Sequence, residues 1–295
     1  MHALVTGASG LVGQALQKRL NDPLLASRHP GRLAPKRAVS WPLTSDSAPP
    51  TEDLDVVFHL AGEPVAGGRW TPTRMARIRQ SRVDGTRGLV NWLETLERPP
   101  KVLVCASAIG VYGDRGDETL REESAAGSGF LAEVCEAWER EARRAEKLGV
   151  RVVSARIGIV LSGQGGALAK MAQPFKFGVG GMIGSGTQWM SWIHVDDVVG
   201  LLLHAAENPI EGALNLVAPN PLTNADFTQA LARSMGRRAF VRAPRFMIRA
   251  ALGKMSDIVL ASQRVEPKVA LETGYRFTYP TADEALAHCM LSDAI

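Results

Sequence analysis

Cysteine is scarce in this 295-residue chain. Cys105, Cys135 and Cys289 stand far apart and are odd in number, which excludes a disulfide framework and a zinc-ribbon spacing and points to reduced thiols in a reducing compartment. An excess of one charge is lacking too. The 34 basic and 30 acidic residues leave +4, spread along the sequence, so neither nucleic acid nor a membrane surface is implied as a partner. No apolar run reaches membrane-spanning length. There is no internal repeat, no low-complexity tract and no histidine spacing that suggests a metal. The opening residues are apolar enough to resemble a signal core, but no basic stretch precedes them and cleavage there would remove the glycine turn described next. The expectation is a cytoplasmic protein with a small-molecule partner, a homodimer being left open.

Hydrophobic residues make up 45% of the chain, enough for one large core or a large and a small one. The apolar run Ala3-Leu4-Val5 leads into Thr6-Gly7-Ala8-Ser9-Gly10-Leu11-Val12-Gly13 and then into a helical pattern, Gln14 to Leu20. A strand, a glycine turn and a helix in that order form a phosphate-binding turn, because the helix start exposes unpaired N–H groups. Gly7 makes the bend, Gly10 admits the pyrophosphate and Gly13 packs helix on strand. Thr6, Gly7, Ser9, Gly10, Leu11, Val12 and Gly13 are therefore candidate cofactor contacts.

Further short apolar runs read as strands: 24–27, 56–61, 102–107 and 150–156, with helical patterns at 72–96 and 131–148. Strands of this kind alternating with helices predict an α/β fold, a doubly wound parallel sheet covered on both faces, binding ligands at the carboxyl ends of its strands. The glycine-rich stretch 162–188 and Pro219-Asn220-Pro221-Leu222 read as crossings to a smaller lobe. This divides the chain into a nucleotide-binding Rossmann domain at 1–165, to which 190–218 returns, and a small C-terminal lobe from 166–189 and 219–295.

The second strand ends in Ser27-Arg28, and His29, Arg32, Lys36 and Arg37 follow with no carboxylate before Asp46. An acid at this strand end would select NAD; Arg28 with Ser27 instead suits the 2′-phosphate of NADP. A solvated basic loop is the alternative reading.

His59-Leu60-Ala61-Gly62, Ser107, Val111-Tyr112-Gly113 and Trp192-Ile193-His194-Val195-Asp196-Asp197, together with the glycine turn, resemble the extended short-chain dehydrogenase/reductases of the NAD(P)-dependent epimerase/dehydratase group. Gly67-Gly68-Arg69-Trp70, Ser81 to Thr86, Phe130 to Cys135, Gly184 to Trp192 and Gln263-Arg264-Val265 with Pro267 narrow the resemblance to its "epimerase family protein" branch, over nearly the whole chain. The resemblance implies a Rossmann domain with a small lobe over the cofactor. It adds Leu60, Ala61, Gly62, Arg82, Ser107 and Arg156 to the candidate cofactor contacts.

The wider group uses a tyrosine and a lysine four residues later to move a proton. None of the three tyrosines here has that lysine, and the resemblance places Phe130 and Val134 at the pair. The catalytic candidates are then Ser107, Tyr112 and Glu133, against strand-end capping, packing and solvation respectively. Cys135 reads as a small buried hydrophobe. Glu63, Arg69, Trp189 and Trp192 are candidate substrate contacts, with core packing the alternative for the tryptophans; Met190 stands where many nucleotide-sugar relatives carry a phosphate-clamping arginine. His194 reads as structural, and Asp196 and Asp197 as helix-start residues. Two functions follow: an NADP-dependent oxidoreductase or epimerase with a non-standard proton relay, or a non-catalytic NADP(H)-binding redox sensor. A pocket lined by Glu63, Arg69, Ser107, Glu133 and Trp189 would favour the enzyme.

Overall fold

The computed structural model describes residues 1–33, 36–44, 46–47 and 53–292. Seven strands, β1 (Ala3–Thr6), β2 (Leu24–Ser27), β3 (Ala38–Ser40), β4 (Val56–His59), β5 (Val102–Ala108), β6 (Arg151–Ile157) and β7 (Gly212–Leu216), form one sheet. Its order is β7-β6-β5-β4-β1-β2-β3, every pair parallel. Residues alternate across it: Val102 and Val104 join the apolar cluster on one face, Leu103 and Cys105 that on the other. Both faces are covered, so the strands read as continuous apolar runs. The doubly wound parallel sheet is as the sequence predicts; β3 and β7, short or flanked by polar residues, were not anticipated as strands.

Helices α1 (Leu11–Gln17) and α5 (Val195–Glu207) cover one face through Leu16, Val198 and Leu202. On the other lie α2 (Pro72–Leu93) and α3 (Phe130–Arg143), through Leu89, Trp92 and Trp138. A third cluster, with Leu168, Phe175, Trp192, Phe227 and Leu286, holds α4 (Gly166–Lys176) against α6 (Asn224–Ser234) and the C-terminal helix. The segment between α6 and the C-terminal helix does not stay wholly with this lobe. Arg264–Val265 pairs with Thr119–Leu120 and Ala270 packs in the cluster beneath the main sheet, so part of the span 219–295 belongs to the larger body. Asp197, buried, accepts the N–H groups of Thr278 and Tyr279 at 2.8 and 2.9 Å and the Tyr275 hydroxyl at 3.1 Å; it anchors this returning segment rather than capping its own helix. Among the described residues no helix is long and apolar enough to cross a membrane.

The crevice between β1 and β4, where the strand order reverses, is the ligand-binding switch point of such sheets. There Thr6 Oγ1 accepts the Leu60 and Ala61 N–H groups, each at 3.2 Å. Its own proton therefore goes to His59 Nδ1 at 2.7 Å, and His59 Nε2 carries the ring proton and donates to Thr86 Oγ1 at 2.9 Å. The chain stitches β1, β4 and α2 together behind the crevice. Burial pushes the His59 pKa from 6.5 down to about 3.

Because the unfolded imidazole protonates below about pH 6.5 and the folded one only near 3, the group's contribution is complete above pH 6.5 and is lost as the pH falls through that window. Urea unfolding at pH 7 and pH 5 should show about 2 kcal/mol lost from this group, and His59→Gln should lack that component. Equal pH dependence in both proteins would contradict the assignment.

Candidate cofactor and active site

The turn after β1 is a cradle that side chains would fill. Gly7 has φ +69°, and a Cβ there would lie 2.5 Å from Leu60 O; at Gly13 it would lie 2.4 Å from Gly7 O. At Gly10 the only neighbour is Gly7 O at 3.3 Å, so its outer side is open. The Gly10 N–H donates to Gly7 O at 2.9 Å, and the Gln14 and Gln17 side chains donate to Ser9 O and Ala8 O at 2.8 and 2.6 Å. The carbonyls are thus turned inward, and the N–H groups of Leu11, Val12 and Gly13 have no intrahelical acceptor. This donor set and open glycine fit a dinucleotide pyrophosphate.

Beside it, Ser27 Oγ accepts the His29 N–H at 3.1 Å, which orients the end of β2. Arg28 stands exposed with no hydrogen bond or ion pair to any described residue. Asp22 faces Arg37 at 3.6 Å, away from that strand end. The arrangement gives a free guanidinium and a hydroxyl at the position that recognises the adenosine ribose.

Across the crevice, Arg82 lies against Gly62, whose Cβ would be 3.2 Å from the guanidinium carbon. Its Nη1 donates to Glu63 O at 3.0 Å and Ile78 O at 3.2 Å, and the guanidinium covers the Trp138 ring at 5.1 Å. Arg82 braces the segment 60–63 that it was expected to share with the cofactor. Cys135 is buried nearby; burial first, then the Glu139 charge, push its thiol up to about 11, so it is inert.

At the carboxyl end of β5, Ser107 is 3% exposed and its hydroxyl donates to Glu139 Oε1 at 2.7 Å. Arg156 grips the same carboxylate with two bonds, Nε to Oε1 at 2.9 Å and Nη2 to Oε2 at 3.0 Å. Its Nη1 donates to the Tyr112 oxygen at 2.9 Å and Glu122 O at 3.1 Å. Tyr112 lies 2.7 Å from Asn215 Oδ1 and 3.0 Å from Arg121 O. Burial alone would lower the Arg156 pKa, but the hydrogen bonds and charge of Glu139 outweigh it and raise the value. Burial raises that of Tyr112.

These contacts bear on two expectations. Tyr112 is fully buried with its oxygen bonded inside the network rather than opening on the cleft, and Arg156 directs its hydrogen bonds to Glu139, Tyr112 and Glu122. Glu133 is exposed on the side of α3 away from the buried Val134, Cys135 and Glu139, and is not brought to Ser107. Ser107 itself is in place, but as a hydroxyl whose proton points inward.

The expected substrate residues do not converge. Glu63 faces Arg74 at 3.6 Å, Arg69 donates to Ala250 O at 2.9 Å, and Trp189 donates to Asp117 at 2.9 Å while Arg264 stacks on its ring at 4.5 Å. Trp192 is a core residue, fully buried, with Nε1 on Asn220 O. Phe130 packs edge-on against Trp70, centroids 5.1 Å apart. His194 caps α5 by accepting the Asp196 N–H at 3.1 Å, and its Nε2 meets His288 Nδ1 at 3.2 Å. Ligand atoms of His194, Asp196 and His288 lie within 4.8 Å of one another, a grouping that sequence spacing does not reveal. Lys18 and Arg19 line the same cavity of about 180 Å³.

Glu139, Asn215 and Glu122 were missed. Glu139 had one readable signal: it lies four residues after Cys135, on the buried face of α3.

The model of the NAD dependent epimerase/dehydratase family matches residues 3–216, and that of a domain of unknown function, DUF1731, matches 243–289. The chain is 36% identical to "Epimerase family protein YfhF" of Bacillus subtilis, covering 97% of each. It is 37% identical to the chloroplastic SDR39U1 homolog of Arabidopsis thaliana, over 98% of this chain and 87% of that one. The crystal structure of human epimerase family protein SDR39U1 with NADPH superposes with a TM-score of 0.91 at 34% identity, covering 99% of this chain and 100% of that one.

The glycine geometry separates two substitutions. Gly13→Ala, with its Cβ against a backbone oxygen, should destabilise the protein by about 1–3 kcal/mol. Gly10→Ala should change stability by less than about 1 kcal/mol yet weaken dinucleotide binding by tenfold or more, since the methyl occupies the open face. Thermal melts without ligand and calorimetric titration measure the two effects; normal binding by the Gly10 variant would place the site elsewhere.

Proposed function

Because the chain belongs to the NAD dependent epimerase/dehydratase family, we propose that it is an NADP-dependent oxidoreductase or epimerase acting on a hydroxyl-bearing small molecule, with Ser107 and Glu139 moving the proton that a tyrosine–lysine pair moves in the wider group. The observation that carries this reading is the 2.7 Å bond from Ser107 to a carboxylate held by a bidentate arginine. NADP is supported by free Arg28 beside Ser27 and by the NADPH in the human relative's structure. The rival reading, a non-catalytic NADP(H)-binding sensor, draws on apolar Phe130 and buried Val134 at the positions of the pair.

When bound, the nicotinamide supplies a hydride donor or acceptor. The chain supplies the rest. Since the Ser107 proton lies on the Glu139 side, Ser107 Oγ offers lone pairs outward and accepts a hydrogen bond from a substrate hydroxyl. As that hydroxyl loses its proton to Ser107, Ser107 passes its own to Glu139; the O–H bond broken on the substrate is matched by one formed on the carboxylate. Arg156 holds the carboxylate aligned beforehand through two hydrogen bonds. Reversal returns the proton to the substrate oxygen.

Calorimetric titration should show NADPH binding more tightly than NADH by about 1–3 kcal/mol, with Arg28→Ala removing most of the difference. Equal affinities in the unmodified protein would exclude the assignment. In a metabolite screen with deuterated NADPH, hydride exchange should be detectable, and Ser107→Ala and Glu139→Gln should each slow it by about ten- to a thousandfold at nearly constant cofactor affinity. Absence of exchange with every substrate, together with a partner protein that distinguishes NADP⁺ from NADPH, would establish the sensor instead.

A further inference from the structure

The net charge of +4 conceals an uneven distribution. Between Met235 and Asp257 lie Arg237, Arg238, Arg242, Arg245, Arg249 and Lys254 and no acidic residue, so this one segment carries more than the whole excess. All six are exposed, and all but Arg242, which donates to Gly184 O at 2.8 Å, make no hydrogen bond or ion pair to any described residue. Arg87, Arg115, Arg144 and Arg233 each find a carboxylate; over residues 237–254 six cations follow one another with no acid among them, a concentration of one sign that suits an external counter-charge.

The same segment exposes large apolar groups. Phe240 is 73% and Phe246 72% exposed, with Met247 at 54%. The strand Val241–Ala243 pairs in parallel with Gly181–Ile183, Val241 opposite Gly181. Phe240 therefore emerges beside the turn that carries Phe177, 79% exposed, and Val179, 57% exposed, next to Lys176. The helix that follows, α7 (Arg245–Leu252), has no buried residue. Phe240 and Phe246 can be no more than about 20 Å apart along the chain. Exposed aromatics among unpaired arginines combine the two terms that drive binding to a bilayer surface, apolar insertion and attraction to anionic headgroups.

We propose that this face of the C-terminal lobe docks on an anionic lipid surface. A second copy of the chain is a poorer occupant, because apposing the same face would bring six cations against six. The net charge gave no hint of this partner because it averages the segment with the acidic remainder.

Sedimentation with vesicles tests the proposal. The protein should pellet with phosphatidylcholine vesicles containing roughly a third phosphatidylglycerol at low salt, release as sodium chloride rises, and ignore phosphatidylcholine alone. Arg245→Glu with Arg249→Glu, and separately Phe240→Ser with Phe246→Ser, should each weaken the association by about tenfold or more. The salt titration of the unmodified protein keeps the test independent of how the variants fold. No association with either vesicle overturns the proposal. A concentration-dependent dimer that the same substitutions abolish would assign the face to self-association. Capture by polyglutamate as strong as by vesicles, indifferent to the phenylalanines, would assign it to an acidic protein.

Discussion

Burying a guanidinium and a carboxylate together costs several kcal/mol per ion unless the geometry and the remaining hydrogen bonds are nearly complete. Arg156 and Glu139, with side chains 12% and 10% exposed, meet that demand by drawing in their neighbours. Ser107 of β5 donates to the carboxylate, which α3 carries, Arg156 of β6 grips it, Tyr112 and Glu122 O accept from Arg156 Nη1, and Asn215 Oδ1 of β7 accepts from Tyr112. Removing either charge would strand the other, a loss of about 3–5 kcal/mol. The pair contributes less to net stability than to specificity: it fixes where the ends of three strands, a helix and a turn meet.

This constraint also sets the chemistry. In the wider group the proton-moving residues stand at the start of the helix here called α3. This chain has Phe130 and Val134 there, the first packed on Trp70 and the second buried. The polar function lies nine residues further along, at Glu139, and reaches the cleft only through Ser107. A hydroxyl that donates inward cannot also donate to a substrate carbonyl, so the proton path we propose begins with Ser107 accepting a proton. Arg82, beside the crevice, is held by the backbone carbonyls of Glu63 and Ile78 and braces the segment after β4.

The glycine turn was legible because all of its determinants are local: residues 7, 10 and 13 fix the bend, the open face and the helix contact within one supersecondary unit. The parallel sheet was legible for the same reason, through continuous apolar runs. The network around Arg156 was not, because its partners lie 32 residues apart between Ser107 and Glu139 and 103 between Tyr112 and Asn215. Glu139 sits in Trp138-Glu139-Arg140-Glu141-Ala142-Arg143 surroundings that read as a solvated charged face, and only its spacing from Cys135 betrays burial. Trp189, Arg69 and Glu63 suit a ligand by residue type, while their contacts with Asp117, Ala250 and Arg74 are equally beyond what local sequence reveals.

The proposed proton path requires Ser107 to reach the reacting carbon while its proton stays with Glu139. A high-resolution crystal structure with NADPH bound tests both at once. It should show the nicotinamide ring over the carboxyl end of β5, Ser107 Oγ within roughly 4 Å of the ring's hydride-bearing carbon or of a bound substrate oxygen, and the Ser107–Glu139 bond intact. A nicotinamide separated from Ser107 by Phe130 and Val134, or a serine turned away from Glu139, would contradict it.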